Sequence, residues 1–380
     1  MKREINIGLI GSRFMGKAHS NAYRRVSEFF DLPVTPVLHT ICGRDAQELK
    51  KTAEGFKWKH SENSWQRVVD SSDIDVIDIC APNHLHLPIA VAAARAGKHV
   101  ICEKPIARNA QEAEKMADAV AFSGVANMMI FNYRYVPAIG LIKKLLSDGK
   151  IGTVFHFNAV YYQDWLVNPH APFVWRHSIV ESGSGANGDM NAQVIDIARF
   201  LIGEFESVCG MQKTFITQRP QPGKQEYAMV STDDACCFQA KFKTGALGSF
   251  IATRLATGRK NYLRIEIFGS AGAVSFNLER LNEVEFYSRS DGEDSGFSNI
   301  LVTEKAHPYI ANWWPPGHTI GWEHTFVHQF KDFFENMGGA KNPAPDFNDG
   351  LVCQQVLDAI QESATSNTWA NLQTSTSVLK

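Results

Sequence analysis

The stretch Gly8-Leu-Ile-Gly-Ser-Arg-Phe-Met-Gly16, GLIGSRFMG, decides the fold. The apolar run Ile5 to Ile10 in front of it predicts a buried strand, and a helix is expected to open at Gly16. A strand that turns sharply into a helix aims backbone N–H groups and the positive end of a helix dipole at one point, which suits a diphosphate. The spacing Gly11-x-x-x-x-Gly16 follows G-x-G-x-x-G, except that Arg13 replaces the middle glycine. A Cβ there is expected to push phosphates slightly outward, with the guanidinium compensating at a phosphate or on the adenine.

The same rhythm continues outward. Strands are expected at Val37 to Cys42, Val76 to Cys80, His99 to Cys102 and Asn127 to Phe131, with helical segments between them. This alternation predicts a doubly wound parallel sheet of the Rossmann type over residues 1–134. From 135 to 380 the pattern changes. A helix at Val136 to Asp148 leads into long strand-like stretches at Thr153 to Gln163, Ser207 to Thr217, Ala235 to Lys243, Gly248 to Thr253, Tyr262 to Phe268 and Val284 to Ser288. Tight turns such as Lys243-Thr-Gly245 predict a large, mostly antiparallel sheet in an α+β domain. Helices are expected at Asn191 to Leu201, Trp322 to Asn336 and Asp349 to Ser363.

Composition narrows the function. The chain has 380 residues and a formal net charge of −2, without the basic clusters that gather nucleic acid or anionic lipid. No apolar run is long enough to span a membrane and no secretory h-region follows Met1, so the cytoplasm is the expected compartment. Seven cysteines sit mostly in apolar runs, as buried free thiols do. The expected partners are small molecules.

At the end of the second strand, where NAD-selective sites place an acid, stand Gly43 and Arg44, a lean toward the 2′-phosphate of NADP that nearby Asp45 weakens. The expected strand Val76 to Cys80 runs into Ala81-Pro-Asn-His-Leu-His86 and the strand His99 to Cys102 into Glu103-Lys104-Pro105. With the glycine turn, APNHLH and EKP resemble the Gfo/Idh/MocA oxidoreductases, the group of glucose-fructose oxidoreductase and inositol dehydrogenase. GFMGKAHS-like residues at the turn, Phe131-Asn-Tyr-Arg134 and Tyr161-Tyr-Gln-Asp-Trp165 resemble, within it, levoglucosan-type sugar dehydrogenases, which oxidise a C3 hydroxyl. The resemblance implies an NAD(P) cofactor met by Gly11, Arg13, Phe14, Met15, Gly16, Gly43, Arg44, Pro82, Asn83, His86, Glu103, Lys104 and Asn132. It implies a homodimer or homotetramer built through the second domain's open-faced sheet.

The resemblance also gives Lys104 the role of binding substrate beside the nicotinamide, and matches Ser182 to Asp196 to a second catalytic motif in which a glycine-rich entry leads to an Asp and, four residues on, a His. Here Asp189 fits, but position 193 is Gln. On a helix that spacing shares one face. Gln193 can hydrogen-bond a hydroxyl but cannot take its proton, so either Lys104 with Asp189 supplies the path, or another group does, or the step is slow. Arg134, Tyr162, Asp164, Trp175, Arg176, His177 and His318 complete the expected sugar or cyclitol site, because aromatic faces suit sugar C–H groups and polar groups fix hydroxyls. His324 and His328, spaced i, i+4, lack a third ligand, and no metal is expected. The rivals to a dehydrogenase are a non-catalytic sugar or nucleotide binder on the same fold, and an enzyme that oxidises transiently, cleaves a glycoside and regenerates its cofactor.

Overall fold

The computed structural model describes residues 2–293, 295–339 and 342–372. The chain forms two compact units. The first comprises residues through Pro137, Val180–Gly183 and Thr303–Val352, and the second comprises Ala138–Ile179, Ser184–Val302 and the chain from Cys353.

In the first unit, β1 (Arg3–Ile10), α1 (Phe14–Phe29), β2 (Val34–Cys42), α2 (Ala46–Phe56), β3 (His60–Glu62), α3 (Trp65–Asp70), β4 (Val76–Ile79), α4 (His86–Arg95), β5 (His99–Glu103), α5 (Ala110–Ser123) and β6 (Asn127–Ile130) alternate as expected. All six strands run parallel in the order β3-β2-β1-β4-β5-β6, which puts the topological switch between β1 and β4. β4 and β6 are buried along their whole length because helices cover both faces. Helix α4 is closed by Gly97 at φ 72°, a left-handed position that a Cβ would strain. Helix α2 is capped by Asp45, whose carboxylate accepts from the N–H groups of Gln47 and Glu48.

A single cut after residue 134 does not describe these units, because Thr303–Val352 belongs with the first. The cause is aromatic packing by α9 (His324–Asn336), whose Phe326, Phe330, Phe333 and Phe334 join one core with Ala22, Tyr23 and Val26 of α1. Tyr23 stacks on Phe330 at 4.2 Å between ring centroids, and Phe29 meets Trp313 at 4.1 Å.

The second unit is built on nine strands in the order β16-β15-β14-β13-β7-β12-β11-β8-β17. They are β7 (Val154–Tyr162), β8 (Phe205–Lys213), β11 (Ala235–Phe242), β12 (Leu247–Thr253), β13 (Tyr262–Gly269), β14 (Gly272–Asn277), β15 (Glu283–Ser288), β16 (Ser298–Leu301) and β17 (Ala370–Asn371). The short β9 (Gln218–Pro220) and β10 (Tyr227–Met229) pair separately. Every pair in the large sheet is antiparallel except β7 with β12. Burial alternates along β7, β11 and β12, so one face is core. On it Phe238 and Phe250 stack at 4.3 Å beside Phe157, Phe205 and Phe242. Helix α6 (Pro137–Ser147) precedes the sheet, while α7 (Ile179–Ser182) and α8 (Ala192–Leu201) fall between β7 and β8 in the chain. Helix α10 (Phe347–Ser366) comes last. No described helix is long and apolar enough to cross a membrane.

Candidate active site

The glycine turn sits at the carboxyl edge of the first sheet. Gly11 has φ 121°, and a Cβ on it would lie 2.4 Å from the Cys80 carbonyl oxygen at the end of β4. A Cβ on Gly16 would lie 1.8 Å from the Gly11 carbonyl oxygen. These two glycines are therefore demanded by sterics. Position 13 is different. Arg13 is the N-cap of α1 at φ −84°, outside the left-handed region that favours glycine, and its exposed side chain reaches 3.4 Å from the Glu48 carboxylate. The turn keeps the tight approach of strand to helix and the bare helix N-terminus that a diphosphate requires. Phe14 extends the cradle, stacked on Trp322 at 5.5 Å, while Met15 packs against the core behind it.

At the end of β2, a Cβ on Gly43 would lie 2.5 Å from Ser12 Oγ, so this glycine also serves the turn. Arg44 is exposed. Asp45 is committed to capping α2, which holds its carboxyl below the usual range through the Glu48 and Gln47 N–H groups. Glu48 adds a second carboxylate at this edge.

The EKP turn follows β5, two strands from β1, and its Lys104–Pro105 peptide is cis. Lys104 is half-buried. Two residues that the resemblance assigns to the cofactor also brace this turn. His86, fully buried, places Nδ1 3.1 Å from the carbonyl oxygens of Pro105 and Ile106, and Nε2 2.9 Å from that of Ala81. Burial lowers its pKa. Glu103, also buried, faces inward, where Oε1 meets His19 Nε2 at 3.1 Å and Oε2 accepts the Lys104 backbone N–H at 3.1 Å. His19 and Asp78 went unnoticed in the sequence. The signal was an Asp inside the apolar strand Val76-Ile-Asp-Ile79, a charge that burial forbids without partners.

His19, Asp78 and Cys80 have the donor types of a metal site, within 4.8 Å of one another. Both His19 ring nitrogens already meet carboxylates, however, and burial pushes the Cys80 thiol far above its usual range. His328 is likewise engaged, accepting from Trp313 Nε1 at 2.7 Å and donating from Nδ1 to the Tyr135 carbonyl at 2.9 Å.

Pro82 leads the short turn Asn83–Leu85. Asn83 donates to the Ser182 carbonyl at 2.8 Å, Asn132 to Thr325 Oγ1 at 2.9 Å, and Arg134 pairs with Asp349 at 3.3 Å. His318 is exposed, with Nδ1 2.9 Å from the Pro315 carbonyl.

Within the second unit, Arg176 lies over the Trp175 ring at 4.3 Å and its Nε stands 3.9 Å from the Asp189 carboxylate, which unites three expected substrate groups. The glycine-rich entry is held by Asp233, whose oxygens accept from the N–H groups of Gly185 and Asn187 at 2.6 and 2.8 Å. A single π turn, Asn187–Asn191, carries Asp189 ahead of α8. Gln193 itself is buried.

Three further residues of the expected site are held as follows. Tyr162 stands on the partly exposed face of the sheet, stacked with Tyr262, because side chains alternate along β7 and Tyr161 takes the buried face. Asp164 is paired with Lys260 at 2.6 Å, which lowers its pKa. His177 is fully buried, and Nδ1 accepts the Val174 N–H at 3.0 Å, so its neutral form carries the proton on Nε2. Burial, then Arg219 and Arg254, lower its pKa to about 4, which makes it a donor rather than a base at neutral pH.

The parallel sheet, its switch point and the two sterically required glycines define a dinucleotide-binding oxidoreductase fold. The family described as "Oxidoreductase family, NAD-binding Rossmann fold" matches residues 5–131, and the GFO/IDH/MocA C-terminal domain matches 139–275. The chain belongs to this family. It is 40% identical to levoglucosan dehydrogenase of Pseudarthrobacter phenanthrenivorans, over 97% of this chain and 98% of that one. The crystal structure of levoglucosan dehydrogenase with NADH and levoglucosan superposes with a TM-score of 0.94 at 41% identity, covering 98% of this chain and 100% of the other. An oxidoreductase domain protein from Kribbella flavida gives a TM-score of 0.94 at 47% identity, covering 98% and 100%.

Proposed function

We propose that this protein moves hydride between a nicotinamide dinucleotide and a secondary hydroxyl, at C3, of a pyranose, glycoside or cyclitol. The observation that carries the reading is the pair of turns at one sheet edge, Gly11–Gly16 after β1 and Glu103-Lys104-Pro105 after β5, in a chain that resembles a sugar dehydrogenase along nearly its whole length. NAD is the preferred form, because Asp45 and Glu48 set two carboxylates at the β2 end where a 2′-phosphate would add charge.

When bound, the nicotinamide supplies the hydride acceptor. The Gly11–Gly16 turn and the α1 N-terminus hold its diphosphate. Lys104 donates to the hydroxyl oxygen and stabilises the negative charge that develops as the C–H bond breaks. Asp189, oriented by Arg176, fixes the hydroxyl pattern, and Gln193 holds a hydroxyl without taking a proton. The balance is alcohol plus NAD+ to ketone, NADH and one proton, which passes to water.

The test is isotopic. Levoglucosan carrying deuterium at C3 is expected to give deuterated NADH, with a ketone at C3. Deuterium retained in the sugar while NADH accumulates would move the reaction to another carbon.

A further inference from the structure

We propose that His19 is a positioning residue that ties the phosphate-binding helix α1 to the Glu103-Lys104-Pro105 turn, so that the dinucleotide and Lys104 are held in one register. The inference rests on the dehydrogenase reading for its catalytic consequence, but its geometry lies wholly within the first unit.

His19 stands on α1 one turn beyond Gly16 and is fully buried. Its Nδ1 donates to Asp78 Oδ2 at 2.8 Å and its Nε2 to Glu103 Oε1 at 3.1 Å. Asp78 also accepts from the Tyr23 hydroxyl at 2.8 Å, so α1 grips β4 through two side chains one turn apart. Glu103 passes the contact on, since its other oxygen accepts the backbone N–H of Lys104 at 3.1 Å. A chain of hydrogen bonds thus runs from the helix that faces the diphosphate, through His19 and Glu103 of β5, to the peptide that carries the lysine, while Asp78 of β4 holds the ring from its other side. His86 holds the far side of the same turn through the Pro105 and Ile106 carbonyls.

Stability alone gives no reason for this arrangement. Phe326 and Phe330 lie 5.2 Å from the His19 ring, an environment suited to an apolar side chain, and buried ion pairs are often replaced by hydrophobic residues without loss. Burial opposes the imidazolium, yet the Asp78 carboxylate at 2.8 Å outweighs it and holds the pKa of His19 well above the ordinary value. What the charged bridge supplies is direction, because two carboxylates meet two ring donors in one geometry only. Displacing a reacting group by about 1 Å can cost roughly 100-fold in rate.

The experiment compares wild type with His19→Gln, Glu103→Gln and the double variant, with kcat measured per bound NADH. Each single variant is expected to bind NADH at full stoichiometry and lose roughly 10- to 100-fold in kcat with little change in sugar KM. The double variant is expected to be no worse than either single, as members of one relay behave. A kcat per bound NADH equal to wild type, or losses that multiply in the double variant, would overturn the proposal. Amide exchange over residues 103–108 gives a second readout that needs no turnover. NADH is expected to slow it in wild type and to leave it unchanged in His19→Gln, whereas equal slowing in both would refute the coupling. Absence of wild-type turnover would count against the dehydrogenase reading alone. If His19→Gln does not fold, Tyr23→Phe keeps the ring on Phe330 and removes one Asp78 bond, and it must show faster exchange over the same segment.

Discussion

Arg13 stands where the dinucleotide pattern has glycine because its φ of −84° asks nothing special of the residue, whereas Gly11 and Gly16 are fixed by contacts of 2.4 and 1.8 Å. Arg13→Gly is therefore expected to leave NADH bound, and Gly16→Ala to weaken it by about tenfold or more, as titration of NADH fluorescence would measure. In the same titration NADPH should bind more weakly than NADH; the reverse order would restore the lean toward a 2′-phosphate that Gly43 and Arg44 suggest in the sequence. Gln193 lacks a titrating group, so Gln193→His is expected to raise kcat by about 10² to 10⁴, with the gain fading at low pH as the imidazole protonates. No gain in a briskly active wild type would mean that the hydroxyl proton leaves elsewhere. His177 is a poor candidate for that route, buried with Nδ1 already accepting.

Elements with strong periodicity were legible, and elements defined by distant partners were not. The β-branched run at Val76 and the capped helix ending at Gly97 announce themselves locally. The three-residue β3, β9 and β10 carry too few residues for a period. The aromatic face of α9 was visible as a helix, but its membership of the first unit depends on Tyr23 and Phe330 meeting across some 300 residues of chain. The His19 network was hidden for the same reason, since α1, β4 and β5 contribute one group each. His328 makes α9 sensitive to acid. Burial lowers its pKa to about 3, so the unfolded chain binds a proton that the folded one refuses below about pH 6.5. Its stabilising effect is complete above that pH and declines by about 1 kcal/mol per pH unit as pH falls toward 3. His328→Gln can keep the bonds to Trp313 and Tyr135 without titrating, and thermal melts between pH 6.5 and 4.5 should show a shallower decline for the variant. Parallel curves would remove His328 from the acid response.

On the whole molecule, the second sheet leaves one face uncovered by its own unit, along a row of directly paired residues: Met211, Cys237, Ile251, Val160 and Arg264. On this face Met211 of β8 is 71% exposed and Leu247, at the start of β12, 50%, apolar positions suited to contact with a second copy of this chain. Light scattering is expected to find a dimer or tetramer, and Met211→Asp with Leu247→Asp to shift it toward monomer; a monomeric wild type would contradict this use of the face. The activity itself is tested most directly by incubating the purified protein with NAD+ and a panel of pyranoses, anhydrosugars and inositols while nicotinamide absorbance is followed. Net accumulation of NADH with at least one sugar, lost in Lys104→Ala, is the predicted result. Sugar binding with no absorbance change and no altered product would make the protein a binder, and glycoside cleavage without NADH accumulation would make its oxidation transient; either outcome contradicts a dehydrogenase.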